Sequence, residues 1–196
     1  MLINGDGELS VEDCDLCMLI CFMITLKSTC NQKAGCVIFN KENGFAGLGW
    51  SGAPANEPHC IDDGVGCDID KLDIHKRCRR ARTAVRNAVA YSDKEKLIGA
   101  EAFVSRRPEE KDIIMLLRKG VKIIHYDDDR VDPVSENRLV EICKENNAVI
   151  SKIVFNSALA FARFYSEFLD DKGLRVTELK IPISCRGNGA NKISLL

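Results

Sequence analysis

Between residues 59 and 78 the sequence places five side chains that bind soft metals: His59, Cys60, Cys67, His75 and Cys78. Thiolate and imidazole are the donors zinc prefers, and four of them held tetrahedrally close a loop and supply folding energy that the loop's own residues lack. The stretch from Ser51 to Asp73 is otherwise rich in Gly, Pro and Asp, and a loop this long is usually either functional or stapled. Free cysteines are the alternative reading of the same residues. Directly downstream, Lys76, Arg79, Arg80, Arg82 and Arg86 form a basic stretch. Guanidinium groups there either serve a phosphate through charge-assisted hydrogen bonds or form a solvated helix face. The remaining thiols read differently. Cys14, Cys17 and Cys21 recur at i, i+3 and i+7, on one helical face, and behave as small buried hydrophobes. Cys143 reads as a core thiol and Cys185 as a surface one.

These groups must be positioned by the elements around them. Ser10 with Glu12 and Asp13 starts a helix that runs through an apolar stretch to Leu26. Lys33–Asn40 and Gly44–Trp50 read as a β-hairpin turned at Asn43-Gly44. The basic stretch predicts a helix from Ile74 to Tyr91, with Ala84, Val85, Ala88 and Val89 as its apolar stripe. A strand at Ala102–Ser105 comes next, and Pro108, Glu109 and Glu110 open a helix that Gly120 ends. Val121–Tyr126 is a strand, Ser135–Asn146 a helix and Val149–Phe155 a strand. Ala158–Leu169 is helical with an aromatic face of Phe161, Phe164, Tyr165 and Phe168, read as core. A hairpin followed by α-β-α-β predicts an α/β sandwich with a mixed sheet. The expected organisation is one domain over residues 1–185, with a Cys/His-rich loop at 51–78 and a flexible tail at 186–196.

Composition narrows the classes. The chain has 196 residues, 45% apolar and 29% charged, which suits a globular domain and not a rod or a disordered chain. Its formal charge of -1 provides no global basic field for nucleic acid, and one Trp with three Tyr offers few stacking platforms. Ten cysteines without a basic, apolar leader in MLINGDGELS imply reduced thiols and a cytoplasmic or nuclear setting. The longest apolar stretch, Leu16–Leu26, is 11 residues, short of the roughly 20 that cross a bilayer.

The succession KAGCVIFN, GLGWSGAP, PHC, GC, HKRC, NAVA, VSRRP and GVKIIHY resembles the deoxycytidylate deaminase family, most of all its late-competence type. The resemblance spans Val11 to Asp128. It implies a cytidine deaminase-like α/β/α sandwich with a mixed five-stranded sheet. Such enzymes hold a zinc-bound water with one His and two Cys, and a Glu shuttles its proton to the cytosine ring. Laid on this chain by Asn87-Ala88 and Pro108, that motif falls on Thr83 for His, Val85 for Glu, and Glu109 and Asp112 for the two Cys. A threonine hydroxyl is a poor zinc ligand and valine carries no proton, so the resemblance implies a fold without catalytic zinc. Thr83, Glu109 and Asp112 offer oxygens to a hard cation, or the two acids pair with Arg82 or Arg86 as a salt-bridged plug.

The same family carries a structural zinc cluster before its catalytic helix, and Cys60, Cys67, His75 and Cys78 match it. Here the last pair is H-x-x-C and not H-C, which leaves His59 and Cys30 as substitutes for the fourth ligand. Family pockets hold the pyrimidine nucleotide with an Asn ending the first hairpin strand and a G-Y-N-G-x-P loop. Asn40, Trp50, Ser51 and Arg82 are the corresponding nucleotide-binding candidates. The implied role is a catalytically inactive deaminase-like subunit or regulator, binding a pyrimidine nucleotide or forming homo- or hetero-oligomers with deaminase-like subunits. An active zinc-dependent deaminase with a rebuilt site and a single-stranded nucleic-acid module are the alternatives.

Overall fold

The computed structural model describes residues 11–30, 32–54, 56–69, 78–127, 133–153 and 155. The chain divides into two compact units, Met1–Phe161 and Ala162–Leu196. The aromatic helix expected at 158–169 and the tail expected at 186–196 lie outside the described residues.

The described part runs α1 (Val11–Ile24), β1 (Gly35–Asn40), β2 (Gly44–Trp50), α2 (Ala84–Ala90), β3 (Glu101–Val104), α3 (Glu110–Arg118), β4 (Ile123–Tyr126), α4 (Pro133–Glu145) and β5 (Val149–Lys152). The five strands form one sheet in the order β2-β1-β3-β4-β5. The hairpin strand β1 is antiparallel to both β2 and β3, whereas β3, β4 and β5 are parallel. This is the expected mixed sheet. Alternation along each strand sends Cys36, Ile38, Ala102, Val104, Ile124 and Tyr126 to one face, where side chains of α2, α3 and α4 pack on them. Val37, Phe39 and Phe103 go to the other face, against Cys17, Met18 and Cys21 of α1. The thiols of α1 are therefore packing groups, as their spacing predicts. No helix among the described residues is long and apolar enough to cross a membrane.

One expectation is corrected here. Among the described residues the helix predicted over 74–91 begins at Ala84, and Cys78 to Arg82 are turn and bridge backbone. Arg82 N–H donates to Gly52 O at 2.8 Å, and Arg79 N–H donates to Asp68 O at 2.8 Å. These long-range bonds satisfy groups that a helix would use internally. Thr83 then caps α2, its hydroxyl accepting from Arg86 N–H at 3.3 Å.

Helix α2 lies unusually close to edge strand β2. A Cβ at Gly47 would stand 2.6 Å from Ala88 O, and one at Gly49 would collide with Ala88 N and Ala84 O. Only glycine lets the helix backbone approach so near. Gly49→Ala is expected to destabilise the fold by about 1–3 kcal/mol or more, as overpacking does, measured as a shift of the urea midpoint.

On the α1 face, Glu101 is buried between His125 Nε2 at 3.0 Å and Lys41 Nζ at 3.2 Å. Burial alone would raise this carboxyl, but His125 and Lys41 outweigh it and hold it below its usual 4.5. The unfolded chain therefore binds the proton more tightly than the native one. Stability from this group is fully present above 4.5 and is lost as pH falls below it. Denaturant midpoints from pH 7 to pH 3 should show that loss, and Glu101→Gln should remove its share of the slope.

Candidate functional site

The end of β2, the start of α2 and the start of α3 meet at one end of the sheet, since Gly35 pairs with Trp50 and Cys36 with Val104. The four positions that the resemblance implies for catalysis are on these elements. Thr83 Oγ1 donates to Asp112 Oδ1 at 2.9 Å. Arg86 Nε stands 3.4 Å from the same oxygen. The backbone N–H of Glu109 reaches Asp112 Oδ2 at 3.5 Å, the return half of a capping box on α3. The Glu109 carboxylate meets Lys111 Nζ at 2.9 Å. Asp112 is 1% exposed. Burial raises its carboxyl above the usual value, helped by Glu109 and opposed by Thr83 and Arg86. Val85 is 1% exposed and is a member of the core between α2 and the sheet.

These residues do not fit the catalytic zinc that the sequence resemblance would imply. The donor set is a neutral hydroxyl and two carboxylates, that of Asp112 held by a guanidinium and that of Glu109 by an ammonium, and no group at position 85 moves a proton. Arg86 likewise puts positive charge beside the oxygen that a hard cation would need. Of the pairings open in the sequence, Arg86 makes the ion pair to Asp112.

The nucleotide-binding candidates are not all brought together. Trp50 is 40% exposed at the end of β2, and its carbonyl accepts from Asn87 Nδ2 at 2.7 Å. Exposed Arg82 is bridged through its backbone to Gly52. Ser51 is beside them, but its hydroxyl is buried. It accepts from Ala34 N–H at 2.9 Å and lies 2.8 Å from both Gln32 O and Ser28 Oγ, so it latches the chain after α1 to the hairpin. Asn40 is at the far end of the hairpin, paired with Gly44, about 16 Å along the strand from the Trp50 level at about 3.3 Å per residue. Its amide is also committed. Nδ2 donates to Lys96 O and Ile98 O, both at 3.0 Å, and Oδ1 accepts from Glu42 N–H at 3.0 Å and Asn43 N–H at 3.2 Å. Asn40 thus closes the turn, as an Asx side chain does, and stands apart from Trp50 and Arg82. Ser28 carried no motif in the sequence, and Asn87 served there only to set the register of the family motif. Their partners come from strands and loops 23 to 37 residues away.

The cysteine loop forms a second centre. The sulfurs of Cys60, Cys67 and Cys78 lie within 4.8 Å of one another, Cys60 and Cys78 at 3.5 Å. Tetrahedral zinc with bonds of about 2.3 Å places its sulfurs about 3.8 Å apart, so these three residues fit such an ion. Burial and the adjoining thiols of Cys78 and Cys67 push the Cys60 thiol up to about 12. A dication among the sulfurs reverses that balance. The loop is closed behind them by the Ile69–Cys78 bridge. His75, the fourth residue expected, lies outside the described residues. His59 and Cys30 do not join the cluster among the described residues. His59 Nδ1 is instead 2.9 Å from Thr29 Oγ1.

The architecture, a mixed five-stranded sheet with helices on both faces, is the cytidine deaminase-like α/β fold. A dCMP deaminase from the cyanophage S-TIM5, solved in complex with dCMP and dUMP, matches with a TM-score of 0.57 and 19% identity, over 74% of this chain and 100% of its own. The same enzyme in apo form matches at 0.55 and 20%, with the same coverage. RibD from Acinetobacter baumannii matches at 0.51 and 18%, over 82% of this chain and 40% of RibD. No family model and no curated protein matches the sequence.

Proposed function

We propose that this chain is a catalytically inactive deoxycytidylate deaminase-like protein, of the late-competence type, that works as a binding or regulatory subunit. The observation that carries the reading is the Thr83–Asp112–Arg86 network, hydrogen-bonded and ion-paired at the positions where the family motif requires a His and a Cys. With Val85 buried in the core at the position of the proton-shuttling Glu, neither water activation nor proton delivery has a group to perform it. The ligand class is a pyrimidine nucleotide, met by exposed Trp50 and Arg82, and the partner class is a deaminase-like subunit. Cys60, Cys67 and Cys78, with His75 as fourth ligand, hold a structural zinc. That ion would fix the loop and take no part in chemistry on a base.

The test is metal content and deoxycytidylate turnover on one purified, chelator-washed sample reloaded with zinc. One zinc per chain with no loss of cytosine absorbance is the expected result. Turnover above background would overturn the proposal.

A further inference from the structure

We infer that a divalent metal at Cys60, Cys67 and Cys78 and an anionic nucleotide at Arg82 and Trp50 bind with positive linkage, each raising affinity for the other. The inference rests on the nucleotide-binding reading above and adds how that site is regulated.

Two routes of contact join the cysteine cluster to the residues beside Trp50. The first follows the chain. Cys78 is bridged to Ile69, Arg79 N–H donates to Asp68 O, Ala81 N–H donates to Cys78 O at 3.2 Å, and Arg82 exchanges both backbone bonds with Gly52. Arg80 adds a side-chain bond, Nη2 to Pro58 O at 3.2 Å, which ties the same segment to the residues before Cys60. Each position from 78 to 82 except Ala81 is thus held by a group from the metal loop or from the loop after β2. The second route runs through side chains. His59, next to Cys60, meets Thr29, and the preceding Ser28 hydroxyl bonds Ser51 O at 2.6 Å. Both routes end at Ser51-Gly52, directly after Trp50.

The described residues of the metal loop are mostly exposed. Ile61 is 71% exposed, Asp62 and Asp63 are exposed, and Gly64 and Gly66 both have positive φ. Neither core cluster contains a described residue between 51 and 83. With only Cys78 buried between 56 and 69 and at 78–82, the order of this stretch depends largely on its hydrogen bonds and on whatever draws the three sulfurs together. A ligand that needs Arg82 beside Trp50 must order this segment if the metal has not done so, and that shared ordering is the coupling free energy.

The full chain is titrated with dCMP by calorimetry in zinc-loaded and chelator-treated forms, with inorganic phosphate as a second probe. Circular dichroism checks that the sheet persists. Trp50 is the only tryptophan in the sequence, so its emission reads the site directly. Zinc alone should shift that emission, and zinc should tighten dCMP binding by at least about tenfold, within the usual range of such couplings. Cys67→Ser, at an exposed sulfur, should fold normally and lose zinc and tight dCMP binding together. Equal dCMP affinity with and without zinc overturns the linkage and leaves the nucleotide reading standing. No dCMP binding in either form overturns both.

Discussion

The combined variant Thr83→His, Val85→Glu, Glu109→Cys and Asp112→Cys is expected to bind one more zinc per chain than the wild type. Positions 109 and 112 are the N-cap and third residue of α3, so two cysteines there present both sulfurs at one helix end, the spacing zinc chelates. Position 83 caps α2, and its side chain already touches that of residue 112 at 2.9 Å. A histidine in its place is aimed at the same point. The change also removes the Asp112 carboxylate that holds Arg86, and it puts a carboxylate at the buried position 85. The zinc-free variant should therefore be less stable than the wild type by about 3 kcal/mol or more. Zinc should restore part of that loss, because it binds the preorganised folded site more tightly than the unfolded chain. Elemental analysis and thermal melts with and without zinc measure both effects. An unchanged zinc count in a folded variant would show that these four positions do not correspond to a metal centre.

Stripping the proposed zinc from the cysteine loop should open that loop while the sheet stays folded. The two core clusters draw on α1, β1 to β5 and the helices α2, α3 and α4, and on no described residue between 51 and 83. Cys78→Ser removes the one buried sulfur of the three and is expected to abolish zinc binding. Limited proteolysis between Pro58 and Asp68 should then accelerate on the order of a hundredfold, the change in open population that about 3 kcal/mol of lost local stability produces. The far-ultraviolet circular dichroism should keep its wild-type shape. Loss of the whole fold on chelation would contradict a purely local role for the cluster, and unchanged proteolysis would contradict any role.

Much of the architecture can be read along the chain, because it depends on local physics. Alternation in KAGCVIFN, the Asn43-Gly44 turn, Pro108 before an acidic helix start and Gly120 after one act over a few residues. They place the strands and the helices other than α2 to within a few residues, and with them the mixed sheet. Residue chemistry is equally local. Val85 cannot shuttle a proton in any fold, and Cys60, Cys67 and Cys78 can meet a soft metal in any loop that gathers them.

Distant backbone decides what the sequence leaves open or misplaces. Lys76 to Arg86 has the composition of a basic helix, yet Gly52 and Asp68 claim the hydrogen bonds of Arg82 and Arg79, so the helix begins at Ala84 and three arginines stand ahead of it. Asn40 is near Trp50 in sequence, but antiparallel pairing carries the two to opposite ends of the hairpin. Arg86, not Arg82, meets Asp112 because the Thr83 cap sets the phase of α2. Helix α1 runs through an apolar stretch, yet Leu16 and Met23 on it are exposed, since the sheet covers only one side of it. Periodicity and donor chemistry are properties of neighbouring residues and are visible in sequence. Which groups share a pocket depends on strand direction and long-range hydrogen bonds, and those exist only once the chain has closed on itself.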